Sequence, residues 1–311
     1  MNRGIHVNGS HCFRWFAGHT WLLVGTLCSL LILSVAGTPP VLVARAAGIT
    51  DTTPSATTSY YESTTDSGTL YSQGCGAGHG PSGVVVLDFG EPWYADGQYG
   101  TINFANSFIT DTAILHAAAN FALGVWQCST SPHTTTVAIG TSNYGGNVKY
   151  ASGESWGDMV GSVENYITSN NYTSRVGADG AIDAETEWNS ASATYNFVDG
   201  YNHGIKNQRW MWDYGDDTPG YWSDEQVWNI AYGEGDERPL PEIYYSADAT
   251  DWLAVAEWAC STGRQMKFNG TIAEYPTGNT PSQAFEDLYN TLGANSCTRE
   301  DRESMHYSTN I

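Results

Sequence analysis

The sequence predicts an α/β fold, and within that class an irregular TIM-like β/α barrel that forms a single globular domain. Short apolar runs alternate with stretches of helical periodicity, which favours parallel strands joined by right-handed helical crossovers. About 220 residues share one globular composition without an internal boundary. No G-x-G-x-x-G motif follows the first apolar run, so a dinucleotide-binding sheet is not favoured.

The N-terminus has the layout of a secretory leader over residues 1–46. Arg3 and Arg14 precede an apolar run at 21–36, and residues 44–46 (Ala-Arg-Ala) form a small-x-small cleavage motif. The same run is nearly long enough to span a bilayer, so an uncleaved anchor is the alternative and the sole membrane association expected. Either way the rest of the chain lies outside the cytoplasm, and we expect a secreted, extracellular protein.

Composition divides the remaining chain into three segments. Residues 47–73 are rich in Thr and Ser with almost no aliphatic side chains, which predicts a disordered linker. Residues 74–297 are expected to form the barrel domain, and residues 298–311 a flexible tail.

The charge of the chain excludes several classes of partner. The leader holds three of the 12 basic residues and none of the 33 acidic ones, which leaves 9 basic residues and a formal charge of −24 in the rest. Such a surface repels phosphate backbones and anionic lipids, so we expect no nucleic-acid partner. It also disfavours anionic wall polymers and is compatible with a neutral or weakly charged substrate.

Four cysteines remain once the leader is removed, and four cysteines allow three pairings. Export to an oxidising space favours two disulfides. Cys75 precedes the first predicted strand and Cys128 follows its helix, while Cys260 ends a helix and Cys297 follows the last one. All four fall at the N-terminal face of a barrel, where Cys75–Cys128 and Cys260–Cys297 are geometrically reasonable. No Cys-x-x-Cys or His-Glu-x-x-His spacing is present, so no metal and no cofactor are expected.

Seven runs predict the strands, and the first of them, GVVVLD, is continuously apolar, as in strands covered on both faces. The predicted strands cover 83–88, 135–141, 175–187, 208–214, 227–232, 241–245 and 266–273. Strands five and six are only about eight residues apart, whereas a parallel crossover needs ~12 or more. A regular barrel has eight strands rather than seven. We therefore expect an irregular barrel.

Apolar residues at helical spacing predict five helices between these strands. The predicted helices are 106–126, one capped by Ser155, one capped by Ser190, 248–262 and 281–292. Ser155 is followed three residues later by Asp158, which is a capping-box arrangement. Thr280 caps the last helix, which has Pro281 in its first turn.

Side chains able to do chemistry follow nearly every predicted strand. Active sites of β/α barrels lie at the carboxyl ends of the strands. The candidate catalytic residues at these ends are Glu185, Asp183, Asp88 and Glu274, and the candidate substrate-binding residues are Trp188, Tyr144, Tyr232, Tyr244 and Asp213. Each of them alone could be a solvated residue at a loop entrance. They converge on one site only if the strands form a barrel.

The third strand carries Asp183, Glu185 and Glu187 at alternate positions, within GADGAIDAETEWN. Residues two apart in a strand point the same way, about 6.6 Å apart. If Ile182 and Ala184 face the helices, the first two carboxylates face the barrel mouth, with Glu187 in the loop. Two carboxylates so close cannot both ionise freely, so one pKa should rise and supply an acid near neutral pH. An antiparallel strand with one wet face is the alternative.

Paired carboxylates are what glycoside hydrolysis requires, because one group protonates the leaving oxygen and the other acts as base, nucleophile or stabiliser. Flat aromatic faces suit sugar rings, and Trp188 directly follows the acidic motif. We therefore expect a glycosidase (an O-glycosyl hydrolase) that acts on a polysaccharide or cell-wall glycan. Glu185 is the expected acid, and Asp183, Asp88 or Glu274 its partner.

Six segments carry a resemblance that covers nearly the whole globular part. VVVLDFG, VAIGTSNYG, AIDAETEW, WDYGDD, PEIYY and TIAEYP resemble a group of poorly characterised secreted bacterial proteins with glycoside-hydrolase-like β/α barrels. More distantly, an acid at the first strand end and D-x-E on a middle strand are similar to the lysozyme-type muramidases, although here Phe-Gly follows Asp88. The resemblance implies that Asp88 and Asp183 orient or stabilise and that Glu185 is the general acid.

Two other functions use parts of the same pattern. A catalytically inactive barrel that binds surface carbohydrate would use the same mouth. A cation-binding protein would use an acidic stretch whose members are Asp213, Asp216, Asp217, Asp224 and Glu225, although their spacing matches no EF-hand loop. A Ser-His-Asp hydrolase is disfavoured because no G-x-S-x-G motif is present.

Overall fold

The computed structural model describes residues 54–206, 209–233 and 236–311. The leader predicted at 1–46 lies outside the described residues. The described part is a mixed α/β structure with parallel sheets, as the sequence predicts. Within it, no helix has both the length and the apolar character needed to cross a membrane.

The largest sheet has six strands, all parallel. They are β2 (Tyr60–Tyr61), β3 (Gly83–Asp88), β7 (Thr135–Ser142), β8 (Val176–Asp183), β9 (Met211–Asp213) and β10 (Glu237–Pro239). Their order across the sheet is β10-β9-β8-β7-β3-β2. Every residue of β3 is buried, and so are all but one of β7 and of β8, because these runs are covered on both faces.

A second parallel sheet has the order β1-β12-β11 and consists of β1 (Ser55–Thr58), β12 (Tyr307–Asn310) and β11 (Gly270–Ala273). The predicted linker is therefore wrong for residues 54–73, and the predicted flexible tail at 298–311 is wrong as well. The polar residues that suggested disorder pair with one another instead. The hydroxyls of Ser59 and Thr309 form a buried hydrogen bond of 2.7 Å, and β-branched Thr suits a pleated strand.

A third, antiparallel sheet follows β3 directly and consists of β4 (Glu91–Ala95), β5 (Gln98–Ile102) and β6 (Phe108–Thr110). The helix predicted at 106–126 therefore begins later, at Asp111. Phe108 and Ile109 fit the helical spacing by chance but pair with β5. Thr110 then caps the helix by accepting a hydrogen bond from the amide of Ala113.

Hydrogen bonds join the two parallel sheets on one side. The amide of Asn269 donates to the carbonyl of Pro239, and the amide of Ile243 donates to the carbonyl of Ile272, both at 3.0 Å. The chain that follows β10 thus runs beside β11. Glu242 and Ile272 form a parallel bridge within this pairing.

On the other side, β1 lies beside β3 and is joined to it through its side chains. The amide of Val86 donates to the hydroxyl of Ser59 at 2.8 Å. The hydroxyl of Thr57 donates to the carbonyl of Val84. Ser and Thr hydroxyls thus take the place of backbone pairing along this edge.

Seven α-helices occur in the described residues, with a π-helical turn at Asn229–Gly233 and a 3-10 turn at Arg299–Arg302. They are α1 (Ser67–His79), α2 (Asp111–Cys128), α3 (Tyr150–Ser169), α4 (Ala191–Gly204), α5 (Asp224–Trp228), α6 (Asp248–Ser261) and α7 (Pro281–Ala294). The predicted caps Ser190 and Thr280 are confirmed. Ser155 is not a cap. It lies inside α3 and donates its hydroxyl to Asp111.

Two of the predicted strands are placed wrongly. Residues 227–232 form the end of α5 and the π-helical turn rather than a strand. A Ser223–Gln226 capping box starts this helix. Of the segment 241–245, only Glu242 makes a strand bridge, while β10 lies just before it. Because the first of these segments is helical, the short crossover expected between predicted strands five and six does not exist.

Two disulfides join the predicted pairs, Cys75–Cys128 and Cys260–Cys297. The first links α1 to α2, and the second links α6 to the chain after α7. Such bonds persist in an oxidising, extracellular setting.

Three apolar clusters form the core. One lies between the six-stranded sheet and α1 to α4, and a second is formed largely by α6, α7 and the segments around them. The third is enclosed by strands of both parallel sheets, and its members are Val84, Val86, Ala138, Ala181, Trp212, Tyr214, Leu240 and Ile272. It lies directly beneath the carboxyl ends of the strands.

Candidate active site

Three aspartates end parallel strands of the six-stranded sheet. Asp88, Asp183 and Asp213 are the last residues of β3, β8 and β9, and each is at most 4% exposed. Carboxyl ends of parallel strands meet at one edge of a sheet, so all three residues lie at that edge. The strand register places Asp88 and Asp183 on one face and Asp213, paired with Ile182, on the other. That these strand ends carry a functional site stays a prediction.

Glu185 lies two residues beyond the end of β8, in a turn that Asn143 holds. The side-chain amide of Asn143 donates to the carbonyl of Glu185 at 2.8 Å and accepts from its backbone amide at 3.2 Å. The predicted strand to residue 187 is therefore too long, since β8 ends at Asp183. The two carboxylates still converge, because the clamp turns Glu185 back over the strand end.

Glu242 completes the cluster and is absent from the sequence-predicted site. One carboxylate oxygen from each of Asp183, Glu185 and Glu242 lies within 4.8 Å of those of the other two, and all three side chains are buried. Glu242 and Tyr244 stand two residues apart in the sequence, and residues two apart in a strand share a face. This alternation could have identified Glu242 as a partner of the site.

Burial and mutual repulsion raise the pKa values of these acids. Burial raises the pKa of Glu185 to about 8, and the negative charges of Asp216 and Glu187 add to the rise. Burial and the charges of Glu242 and Glu185 raise the pKa of Asp183 well above its ordinary value. One oxygen of Asp183, Oδ1, has no hydrogen-bond partner among the described residues. The cluster therefore retains protons near neutral pH.

Asp88 stands at the side of this cluster. Burial raises its pKa to about 7, while the backbone amide of Gly90 and the hydroxyl of Tyr214 oppose the rise. The Gly90 amide donates to Oδ1 at 2.8 Å. Asp88 is thus a fixed group whose negative charge adds to the rise in the pKa of Asp183.

Two tyrosines border Glu242. The hydroxyl of Tyr244 donates to Oε1 of Glu242 at 2.5 Å. This hydrogen bond opposes the rise in the pKa of Glu242 that burial and the charge of Glu185 cause. The ring of Tyr61 is exposed, but its hydroxyl points inward beside that of Tyr244, where desolvation and the charges of Glu242 and Asp183 raise its pKa. Tyr61 was missed because the sequence there reads as linker.

Exposed aromatic rings surround the carboxylates. Tyr144 and Trp188 form an edge-to-face pair with ring centroids 5.8 Å apart, and Tyr61 and Phe104 form a second pair at 4.8 Å. All four rings are exposed. Trp188 is tied to the site because its amide donates to the carbonyl of Glu185. Such rings offer apolar faces to a ligand.

The remaining predicted residues have different positions. Glu274 lies close enough to add its charge to the repulsion at Glu242, and its own carboxylate accepts a hydrogen bond from Thr277. Asp213 is buried and accepts from the backbone amide of Gly215, which makes it part of the framework rather than a ligand-contacting group. Tyr232 was predicted from a strand that does not form. It packs on the second core cluster beside Trp228.

A cation could be held by the same three carboxylates. Asp183, Glu185 and Glu242 offer three hard oxygen ligands within 4.8 Å of one another. The other close group in the described residues is Cys75, His79 and Cys128, whose sulfurs are consumed in a disulfide. The acids of the loop after β9 do not form such a group; Asp216, for example, accepts from the hydroxyl of Thr218 instead.

The site therefore combines an acid protonated near neutral pH, nearby carboxylates and exposed aromatic faces. These are the parts needed for proton transfer to a leaving oxygen beside a second carboxylate. Comparison with known proteins adds no family: no protein-family model matches this chain, and no curated protein matches it.

Proposed function

We propose that this chain is a secreted glycoside hydrolase that cleaves a polysaccharide or cell-wall glycan by paired-carboxylate acid/base chemistry. The observation that carries the proposal is the buried trio of Asp183, Glu185 and Glu242, with oxygens within 4.8 Å of one another and raised pKa values. The two disulfides support the extracellular setting.

The proposal includes a closed, irregular β/α barrel. Backbone pairing beside Ile272 on one side and the hydroxyls of Thr57 and Ser59 on the other would join the two parallel sheets into one ring. The third core cluster draws side chains from both sheets, which supports such closure. The trio would then stand at the carboxyl-terminal mouth, where barrel enzymes hold their sites.

Glu185 is the proposed general acid. Its pKa of about 8 keeps it protonated near neutral pH, and the clamp by Asn143 holds its backbone. Glu185 gives its proton to the glycosidic oxygen as the bond from that oxygen to the anomeric carbon breaks. The leaving sugar departs as an alcohol.

Glu242 is the proposed nucleophile. Burial and the charge of Glu185 raise its pKa, and the hydrogen bond from Tyr244 opposes that rise and favours the charged form that attack requires. Separations of about 5–5.5 Å between carboxyl groups accompany retention, and ~6.5–9.5 Å accompanies inversion. The closeness of Glu185 and Glu242 supports retention. Glu242 forms an ester to the anomeric carbon. Water then attacks that carbon while Glu185, now charged, takes the proton from the water; the ester bond breaks and Glu242 leaves as its carboxylate. Asp183 and Asp88 lie beside these two groups and orient the sugar.

The test measures release of reducing sugar from a panel of bacterial-wall, plant and fungal polysaccharides. Glu185→Gln and Glu242→Gln should each lose about 10²–10⁴-fold in activity, the range expected for removing a general acid or a nucleophile. Glu257→Gln, an exposed glutamate on α6, is the matched control and should retain activity. The anomeric configuration of the first product reports retention directly.

Binding to a polysaccharide without hydrolysis would contradict the proposed hydrolase activity. The protein would then be a barrel that binds carbohydrate. Hydrolysis that survives in both variants would also overturn the proposal. Product formed with inversion would remove Glu242 as nucleophile while keeping the acid role of Glu185.

A further inference from the structure

Basic residues are segregated to one end of the strands. Seven of the nine in the described part lie before the amino ends of strands: Arg175, Lys206, Arg209, Arg264, Lys267, Arg299 and Arg302. Arg238, in the middle of β10, stacks on Trp210, which precedes β9. The last of the nine, Lys149, precedes α3 and stands over the ring of Tyr94 on the antiparallel sheet, at 5.7 Å. The carboxyl-terminal end of the strands therefore has almost no compensating positive charge.

Acidic side chains crowd that same end and repel one another. Those that interact in this way include Glu185, Glu187, Asp216, Asp217, Glu242, Asp248, Asp251 and Glu274. The pKa of Asp216 rises to about 6 and that of Asp217 to about 7, first by burial and then by neighbouring carboxylates. Among the described residues, no basic group is a main cause that opposes the rise at either residue. At the opposite end, Arg209 does oppose the rise at Asp179, and Lys267 does so at Asp301.

We propose that the substrate is a polycationic amino-sugar glycan, a chain of sugar rings that carry free protonated amines rather than N-acetyl groups. The inference rests on the proposed glycosidase function and names its substrate class. Asp183 also supports a cationic ligand. It is buried, and one of its carboxylate oxygens lacks a hydrogen-bond partner among the described residues, so a protonated amine of the ligand can bind that oxygen.

A cationic glycan fits the mouth for two reasons. Protonated amines would neutralise acids that now repel one another, so binding would relieve a repulsion that the free protein carries. The sugar rings would lie against the exposed faces of Tyr144 and Trp188, which are close to Glu185. A neutral glycan satisfies the second condition alone, and an anionic glycan would be repelled.

The test compares a glucosamine hexamer with its N-acetylated counterpart, which has the same rings and linkage but lacks the charge. Binding is measured by calorimetry with Glu185→Gln, so that no cleavage intervenes, and hydrolysis is measured with the unaltered protein. The glucosamine hexamer should bind about tenfold tighter or more, as expected for a few charge pairs. That advantage should shrink as salt rises.

A double variant tests whether the acidic rim is responsible. In the Glu185→Gln background, Glu187→Gln with Asp251→Asn removes two rim charges and should weaken binding of the glucosamine hexamer about three- to tenfold. It should leave the N-acetylated hexamer unchanged. Glu300→Gln with Glu303→Gln removes two exposed charges beside the amino end of β12 and should change neither.

The failures of the two proposals are distinguishable. Cleavage of neutral glycans with no preference for the amine form would overturn this inference and keep the glycosidase. Tight, salt-sensitive binding of the glucosamine hexamer without any cleavage would support the ligand class and overturn the glycosidase. Calcium binding in the absence of sugar, lost in the rim variant, would overturn the inference because the rim would then be a cation site.

Discussion

The hydroxyl of Tyr244 donates a 2.5 Å hydrogen bond to Oε1 of Glu242. The bond matters because Glu242 is buried beside Glu185 and Asp183, where every neighbouring charge disfavours its own ionisation. A hydrogen bond to the charged form is the one local interaction that favours it. Tyr244 thereby offsets part of the rise in the pKa of Glu242 and favours the anion that the proposed nucleophile requires.

Removing that hydroxyl should therefore affect chemistry more than binding. In Tyr244→Phe we expect kcat to fall about 10–100-fold with little change in KM, since a hydrogen bond to a charged group contributes about 1.5–3 kcal/mol. The pKa of Glu242 should rise, so the acidic limb of the kcat profile should move to higher pH. Kinetics across a pH series measure both effects.

Tyr289→Phe is the matched control, because Tyr289 lies on α7 against Phe285 and Arg302. It should leave the pH profile in place. An equal loss in the two variants, or an unshifted acidic limb in Tyr244→Phe, would assign Tyr244 a merely structural part.

The raised pKa values make the stability of the fold depend on pH in a definite direction. Asp88 with a pKa of about 7 and Glu185 with about 8 hold protons that the unfolded chain releases near pH ~4. The folded state therefore binds more protons between these values, and the free energy of unfolding should fall as pH rises from about 4 to about 8. Above that window the loss should level off.

Asp183→Asn isolates one contributor to this pH dependence. Burial and its carboxylate neighbours raise the pKa of Asp183, so an uncharged isostere should stabilise the fold by roughly 1–3 kcal/mol at about pH 9 and by little at about pH 4. Denaturant unfolding at both pH values measures this. Asp158→Asn, an exposed partner of Lys206, should change stability by less than about 0.5 kcal/mol at either pH. A gain that is equal at both pH values would contradict the charge argument.

Trp188 is expected to contribute to substrate binding through its face. Trp188→Ala should raise KM about three- to tenfold with kcat largely kept, since an aromatic contact contributes ~0.5–1.5 kcal/mol. Trp210→Ala is the comparison, because Trp210 is also 40% exposed but precedes β9 at the far end of the sheet. A similar rise in KM in both variants would point to general destabilisation instead.

Local sequence patterns predicted the part of the site that lies on β8. Asp183 and Glu185 stand two apart after a continuous apolar run, and both reach the same cluster. Their convergence has a different cause from the one expected, since Asn143, from the end of β7, bends the chain beyond Asp183. Alternation identified the residues, whereas a long-range side-chain clamp sets their geometry.

Glu242 and Tyr61 escaped prediction because their elements are defined by partners far away in sequence. The segment that holds Glu242 makes a single bridge, to Ile272, and has no run of its own to mark its register. Tyr61 lies in a two-residue strand that exists through pairing with β3. Thr- and Ser-rich composition around it matches a linker, yet hydroxyls such as that of Ser59 serve as partners for strand edges. Composition therefore does not distinguish a disordered linker from a strand edge that is paired through hydroxyl groups.

The packing of α1 on α2 offers a test of the fold that does not depend on function. A Cβ at Gly74 would lie 2.0 Å from the carbonyl oxygen of Phe121, a backbone atom that cannot move aside. At Gly76, two residues further along the same helix, an added Cβ meets nothing within 4 Å. Gly74→Ala should force the helices apart and destabilise by about 2 kcal/mol or more.

Gly76→Ala should instead stabilise α1 by up to ~1 kcal/mol, because alanine has the higher helix propensity. Thermal or denaturant unfolding of the oxidised protein gives both values, and the intact Cys75–Cys128 disulfide keeps the unfolded states comparable. The two substitutions add the same methyl group to the same helix, so propensity alone predicts the same sign for both. Opposite signs would therefore isolate the backbone contact between α1 and α2, and two gains of similar size would show that the helices do not approach as closely as the contact of Gly74 with Phe121 requires.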